Sequence, residues 1–423
     1  MGKRGLVARG ALAVALLAAS GCFWQLPGAD SNRSAYNSLE TRITADTVAG
    51  LVPRWEASVD EGPVSAPVTS TRGVHVAAGS SLYAFEARTG AERWQYTYTD
   101  WSDTHVLQPY VWRDRVLANQ WVEHYSFRSV IELDAATGEV AGTIPEVELA
   151  AVQGDRAVLV SNLWIDPGPG PIISVDSLSV RNLTTGETQP LGRFNTSLNG
   201  YPPDQYAVTL AGDWVVHAGR GLDRGTATFG PGLRAYSISD PVTSCGASTY
   251  VTVCPNWSTT EGGVGPPVLS RDGTVVYDAA RAYDTATGAV LWDRSSGPGG
   301  PPALTADTIY TATADGLLHA YSVDGSPQNG CPGGTCDPSW SASLGFTPDL
   351  SLQPAVAGGV VFVAGAGGEI AAVDAAGCGS PPCAPLWTGS VGSQITGSPA
   401  VSNGQLYVGT ADGRLVAFGL PAA

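Results

Sequence analysis

Lysine and methionine are nearly absent: the only ones are Lys3 and Met1. The body of the chain therefore holds no lysine for Schiff-base chemistry and no phosphate loop of the form Gly-x-x-x-x-Gly-Lys-Ser/Thr. Histidine is scarce too. His75, His105, His124, His217 and His319 are scattered, without a His-x-x-x-His or glutamate-bearing spacing for a metal. Neither a Gly-x-Ser-x-Gly elbow nor a Cys-x-x-Cys pair occurs. Charge is low at 14% and leans acidic, with 22 basic residues against 38 acidic ones and a net of −16. Lys3, Arg4 and Arg9 lie in an N-terminal leader that has no acid, so the rest is more acidic still. Such a field repels nucleic acid and anionic lipid surfaces.

Turn formers are in excess. Glycine at 53 and proline at 30 make up about a fifth of the 423 residues, beside a hydrophobic content of 43%. That combination suits a folded chain of many short strands rather than long helices.

Residues 1–22 read MGKRGLVARGALAVALLAASGC, a basic start followed by an apolar run from Ala11 to Ala19 and then small residues. The run is too short for the roughly 20 residues that span a bilayer, and the pattern is that of an export signal. Ala19-Ser20-Gly21-Cys22 resembles a bacterial lipobox, with Ala19 where leucine is commoner. The resemblance implies cleavage before Cys22 and a diacylglyceryl and palmitate anchor on its thiol. The protein is then expected on the outer face of a bacterial cell membrane. A plain secretory signal with an incidental cysteine is the alternative. The expected division is a leader over 1–21, a polar lipid-anchored tether over 22–49 with a helical turn around Thr44 to Val48, and a body over 50–423.

The body repeats. AYDTATGAVLW (Ala282 to Trp292) and AFEARTGAERW (Ala84 to Trp94) share the form Ala-x-Asp/Glu-x-x-Thr-Gly-x-x-x-Trp, and LDAATGEV keeps Asp134, Thr137 and Gly138. Gly90, Gly138 and Gly186 follow one another at intervals of 48. Later copies degrade the turn but keep a tryptophan at Trp257, Trp340 and Trp387. Before each copy stands a second signature, a proline or small residue, a turn and an alternating strand, as in SPAVSNGQLYVGTADG. Eight such units over residues 50–423 give about 47 residues each, within the roughly 40–50 of propeller repeats. Each unit reads as a four-stranded blade that must stack on its neighbours to bury its faces. The last unit ends at ADGRLVAFGLPAA without room for an outer strand, whereas Leu51-Val-Pro-Arg-Trp55 has the outer-strand form without partners. The expected fold is thus an all-β, eight-bladed propeller whose last blade is closed by the N-terminal strand carrying Trp55, which removes a free sheet edge.

The repeat resembles that of quinoprotein-like (PQQ-binding-like) eight-bladed propellers over nearly all of residues 35–423. The resemblance implies that Trp55, Trp94, Trp257, Trp292, Trp340 and Trp387 stack between neighbouring blades, capped by the Thr-Gly turns. Blades 2 and 3 lack the tryptophan. The superfamily includes dehydrogenases that bind pyrroloquinoline quinone with calcium over the ring's centre. It also includes a non-catalytic lipoprotein of the outer-membrane β-barrel assembly machine. Adjacent cysteines of the kind many quinoproteins place beside the quinone are missing here, and no calcium-binding set with a catalytic aspartate stands out. The resemblance is strongest to exported propeller lipoproteins of unassigned role. The expected role is a monomeric scaffold or ligand-binding module for an envelope protein or ligand, with no metal and no cofactor. A quinone- and calcium-dependent dehydrogenase and a barrel-assembly component are the alternatives.

With Cys22 lipidated, six cysteines remain. Cys245 and Cys254, Cys331 and Cys336, and Cys378 and Cys383 each fall in the loop joining the last two strands of a blade. Local disulfides suit an exported protein; zinc on the two Cys-x4-Cys pairs is the other reading. The stretch from Tyr96 to Phe127 is unusually aromatic. Its Trp101, Trp112 and Trp121 form a candidate platform for sugar or peptide, or they pack where blade 2 lacks its docking tryptophan. Asp315-Gly316 and Asp412-Gly413 admit a calcium reading but are ordinary hairpin turns.

Overall fold

A computed structural model describes residues 23–421 apart from 60–61, 99–103, 123–126, 166–172, 196–206, 219–220, 223–228, 231, 243–253, 261–264, 298 and 327–329. The chain forms eight four-stranded blades around an axis. In blade 1 the strands run Val68–Ser70, Gly73–Ala78, Ser81–Phe85 and Glu92–Thr97 from the axis outward. The first three are buried at every residue, while the outermost alternates and is largely exposed. A strand squeezed between two neighbouring blades buries both alternating sets of side chains. This explains the runs of valine and alanine in the inner strands, where a one-sided sheet would show alternation.

Proline stands just before the inner strand in several blades, as at Pro67, Pro267, Pro302, Pro354 and Pro399. There it costs no ladder hydrogen bond. The Thr-Gly turns have an equally local cause. Asp284 Oδ1 accepts from Thr287 N at 2.8 Å and Thr287 Oγ1 at 2.6 Å, and Gly288 follows at φ 71°. Asp134 and Glu86 hold their turns in the same manner, ahead of Gly138 and Gly90. A short carboxylate tying down the next two or three amides, followed by a left-handed glycine, is why the motif recurs.

The ring closes as the sequence suggests. Val52–Ser58 pairs antiparallel with Arg414–Gly419, with Trp55 opposite Ala417. Arg414 locks this seam by donating to Glu56 Oε2 at 3.0 Å and to Val391 O at 2.8 Å.

Residues 23–49, expected as part of a tether over 22–49, are not free. From Phe23 onward the described chain is laid across the ring and crosses every blade. Thr69 N donates to Trp24 O, Val111 N to Gln25 O, Leu269 N to Asn32 O, Leu304 N to Ser34 O and Val356 N to Ala35 O. Gln153 reaches Ser31, Arg33 Nε donates to Val208 O, and Asn37 donates to Val401 O. Tyr36–Asn37 adds a parallel strand to blade 7. Trp24, Ile43 and Val48 are at most 1% exposed, which no solvated linker would accept. The turn expected near Thr44 is a 3-10 turn at Val48–Gly50.

Two histidines give this fold an acid limit. His75 and His217 lie in inner-blade strands, and burial pushes each imidazole down to about 3. An unfolded histidine titrates near 6.5, so between that value and about pH 3 the unfolded chain takes up protons that the folded chain refuses. Stability is full above pH 6.5 and falls below it, by about 2 kcal/mol per histidine at pH 5. Urea midpoints at pH 7.5 and 5 check this. His75→Gln should flatten the profile, and an unchanged profile would refute the assignment.

Candidate functional site

The tryptophans and the turns meet between blades. Trp55 lies against Gly90, Trp94 against Gly138, Trp257 against Gly288, Trp292 against Gly325 and Trp340 against Gly377, each ring resting on the glycine turn of the following blade. The indole N–H of Trp55 donates to Ala87 O at 2.9 Å and that of Trp94 to Ala135 O at 3.1 Å. Trp387 donates to Leu51 O at 3.0 Å and packs edge-on against Phe418 at 5.4 Å. Where the tryptophan is missing, polar contacts take its place. Asp155 of blade 3 accepts from Trp112 Nε1 at 3.2 Å and from Arg113 Nη2 at 2.7 Å. Gln189 of blade 3 donates to Ile238 O of blade 4 at 2.6 Å.

Two cysteine pairs form local disulfides, Cys331–Cys336 and Cys378–Cys383. Cys254 is buried and disulfide-bonded, whereas Cys245 lies outside the described residues. Each bridged loop reaches further than its own blade. Thr335–Cys336 of blade 6 pairs parallel with Asp293 and Arg294 on the outer edge of blade 5. Cys383 of blade 7 bridges to Ala342 of blade 6. The loops thus cover the edges beside Trp292 and Trp340, which would otherwise offer unpaired strand groups. Replacing Cys331 and Cys336 together by serine is expected to cost about 2 kcal/mol, the loop-closure entropy of so short a bridge. A urea titration checks it, and dithiothreitol, which also reduces Cys378–Cys383 and the bridge of Cys254, should produce a larger shift in the wild-type chain.

Of the proposed platform, the two described tryptophans, Trp112 and Trp121, do not come together. Trp112 sits at the hairpin turn of blade 2, with the Arg113 guanidinium 5.0 Å above its ring. Trp121 lies at the far end of the same hairpin, on the central cavity. Trp101 and His124 lie outside the described residues.

That cavity has a volume of about 830 Å³. It lies on the side from which the inner strands start, bounded by Pro63–Ala66, Ser351–Gln353 and Thr396–Ser398. Its other end is sealed by the N-terminal segment, through Trp24, Pro27, Gly28 and Arg33. The segment makes the axis a blind funnel. Most polar groups on the wall are already engaged. Asn119 donates to Leu149 O at 2.9 Å and accepts from Leu149 N at 2.6 Å. Gln353 donates to both Arg33 O and Pro302 O at 2.6 Å. The charged residues on the wall are Glu148 and Arg33, and Glu148 is paired with Arg128 at 3.0 Å. Sequence reasoning missed Trp24 and Arg33. The signal was there, since a tryptophan beside Ile43 and Val48 has no place in a solvated tether.

A family model described as outer membrane protein assembly factor BamB matches residues 39–189, 271–328 and 336–420. The chain belongs to this family. Among solved structures it is similar to a europium-containing methanol dehydrogenase, with TM-score 0.60 at 14% identity, covering 95% of this chain and 98% of that one. It is similar also to the quinohemoprotein alcohol dehydrogenase from Comamonas testosteroni, with TM-score 0.60 at 15% identity, covering 96% and 82%. A computationally designed protein, Ika8, matches with TM-score 0.52 at 15% identity, covering 86% and 98%. No curated protein matches the sequence. At these identities the likeness is one of fold.

A quinone held with calcium needs several oxygen ligands from the protein for the cation. Among the described residues the funnel wall carries one carboxylate, Glu148, and Arg128 occupies it. No described group of three or more histidine, cysteine, aspartate or glutamate side chains could hold a metal ion. The described wall therefore does not fit that pair, and no chemical step is derived through it.

Proposed function

We propose that this family member is an exported lipoprotein, anchored through Cys22 to the outer face of a bacterial cell membrane, that works as a non-catalytic monomeric scaffold for an envelope protein. The observation that supports this most is the course of the N-terminal segment. It crosses all eight blades and is docked from Trp24, two residues after Cys22. Two extended residues span only about 7 Å. An anchor at Cys22 would therefore hold the ring close to the bilayer in a restricted orientation, with fixed faces available to a partner. The low charge and the rigid, edge-free ring suit such a role.

The test has two arms. Cys22→Ser should move the protein from the membrane fraction to the soluble fraction, and the N-terminal peptide of the wild type should carry a diacylglyceryl mass. Cross-linking in native membranes followed by mass spectrometry should then return a reproducible protein partner. Membrane retention of Cys22→Ser would remove the anchor, and a background-only cross-linking profile would remove the scaffold. The family description favours one narrower form, service to a β-barrel assembly machine. Co-isolation of a β-barrel protein would select it.

A further inference from the structure

The funnel wall carries a charge that none of the described residues neutralises. Arg33 lies at its sealed end, on the N-terminal segment. Its Nε donates to Val208 O at 3.0 Å, and among the described residues no ion pair engages the guanidinium. Asp30, three residues before it, is committed elsewhere: its carboxylate accepts from Ser34 N at 2.9 Å and Ser34 Oγ at 2.6 Å. Glu148, the carboxylate on the wall, is taken by Arg128. The titratable group that acts on Arg33 electrostatically is Tyr110, whose hydroxyl bonds Ala150 O. An arginine stays protonated in such a place, and a cation without a counter-ion in a poorly solvated pocket is costly.

The backbone adds to this. Arg33 stands at φ 55°, a left-handed conformation that a long side chain seldom adopts. It is held there by Arg33 N donating to Asp30 O and by Gln353 donating to Arg33 O. Strain of this kind persists where the surroundings impose it, often at a ligand site. The cavity wall as a whole includes the aromatic and apolar residues Trp121, Val64, Val106 and Leu352. The volume of 830 Å³ lies within the range of pockets that enclose small organic ligands.

We propose that the funnel binds a small organic carboxylate, with the acid group received by Arg33 and an apolar or aromatic body extending along the wall towards Trp121. With Nε spent on Val208, the terminal nitrogens remain for a planar, two-oxygen acceptor, the geometry a guanidinium recognises best. The site requires neither the lipid anchor nor a protein partner, so it stands or falls apart from the scaffold reading.

The test uses the intact folded chain and two isosteric probes, 2-naphthoate and 2-naphthamide, by isothermal titration calorimetry and ligand-observed NMR. The charged probe should bind at least tenfold more tightly than the neutral one. Arg33→Gln should abolish that preference and Arg33→Lys should retain part of it. Trp121→Ala should weaken both probes and leave the preference intact. Equal binding of the two probes, no binding of 2-naphthoate up to 10 mM, or a preference that survives Arg33→Gln would each overturn the proposal. The wild-type comparison decides the charge requirement even if an Arg33 variant fails to fold.

Discussion

Gly90→Ala is expected to open the seam of the ring, at a cost of about 3–4 kcal/mol. Gly90 stands at φ 70°, where a side chain costs roughly 1–2 kcal/mol by itself. A Cβ there would also fall 2.5 Å from the Trp55 ring. Trp55 cannot give way cheaply, since its indole N–H is bonded to Ala87 O and its strand is the one that closes blade 8. Overpacking of this kind adds typically 1–3 kcal/mol. Gly154→Ala is the control. Gly154 has a similar φ of 57° but nothing within 4 Å of the added methyl, so it should lose only the backbone part. Urea midpoints of the two variants, with proteolysis of the Val52–Ser58 strand as a local readout, measure the difference. Equal losses would show that the tryptophan does not bear on the turn.

Trp24→Ala should release the N-terminal segment and open the sealed end of the funnel. The side chain is 1% exposed and shares a core with Ala355, Val356 and the strands of blades 6 to 8. Truncating a buried tryptophan costs about 3–5 kcal/mol, enough to raise local opening by about a hundredfold or more. The effect is read amide by amide. Thr69 and Val111 donate to Trp24 O and Gln25 O, so their hydrogen exchange should quicken most. Val356 N, which donates to Ala35 O, lies eleven residues further along the segment and should respond less. Unchanged exchange at Thr69 and Val111 would mean that the segment is held without its tryptophan.

Local chemistry was the legible part. Asp134, Glu86 and Asp284 bind the amides that follow them, so the Thr-Gly turn is written within four residues and recurs wherever those residues recur. The cysteine pairs were readable for the same reason, since Cys331 and Cys378 each bond a cysteine five positions on. The edge that each bridged loop covers was not readable, because Asp293 and Ala342 belong to neighbouring blades. The aromatic stretch misled by proximity: Trp112 and Trp121 are close in sequence, yet an eight-residue strand, Arg115–Val122, carries them to opposite ends of a hairpin.

The sequence by itself determined the blade, the number of blades and the strand that closes the ring, because repeat spacing, turn chemistry and strand alternation act within one unit or between adjacent ones. The docking of residues 23–50 and the place of Arg33 in the funnel emerge only in the assembled ring. That segment matches no repeat, and its partners are carbonyls and amides on all eight blades, up to 364 residues away at Val401. Those groups converge only when the ring has closed, and with them the funnel, with Arg33 on its wall, comes into being.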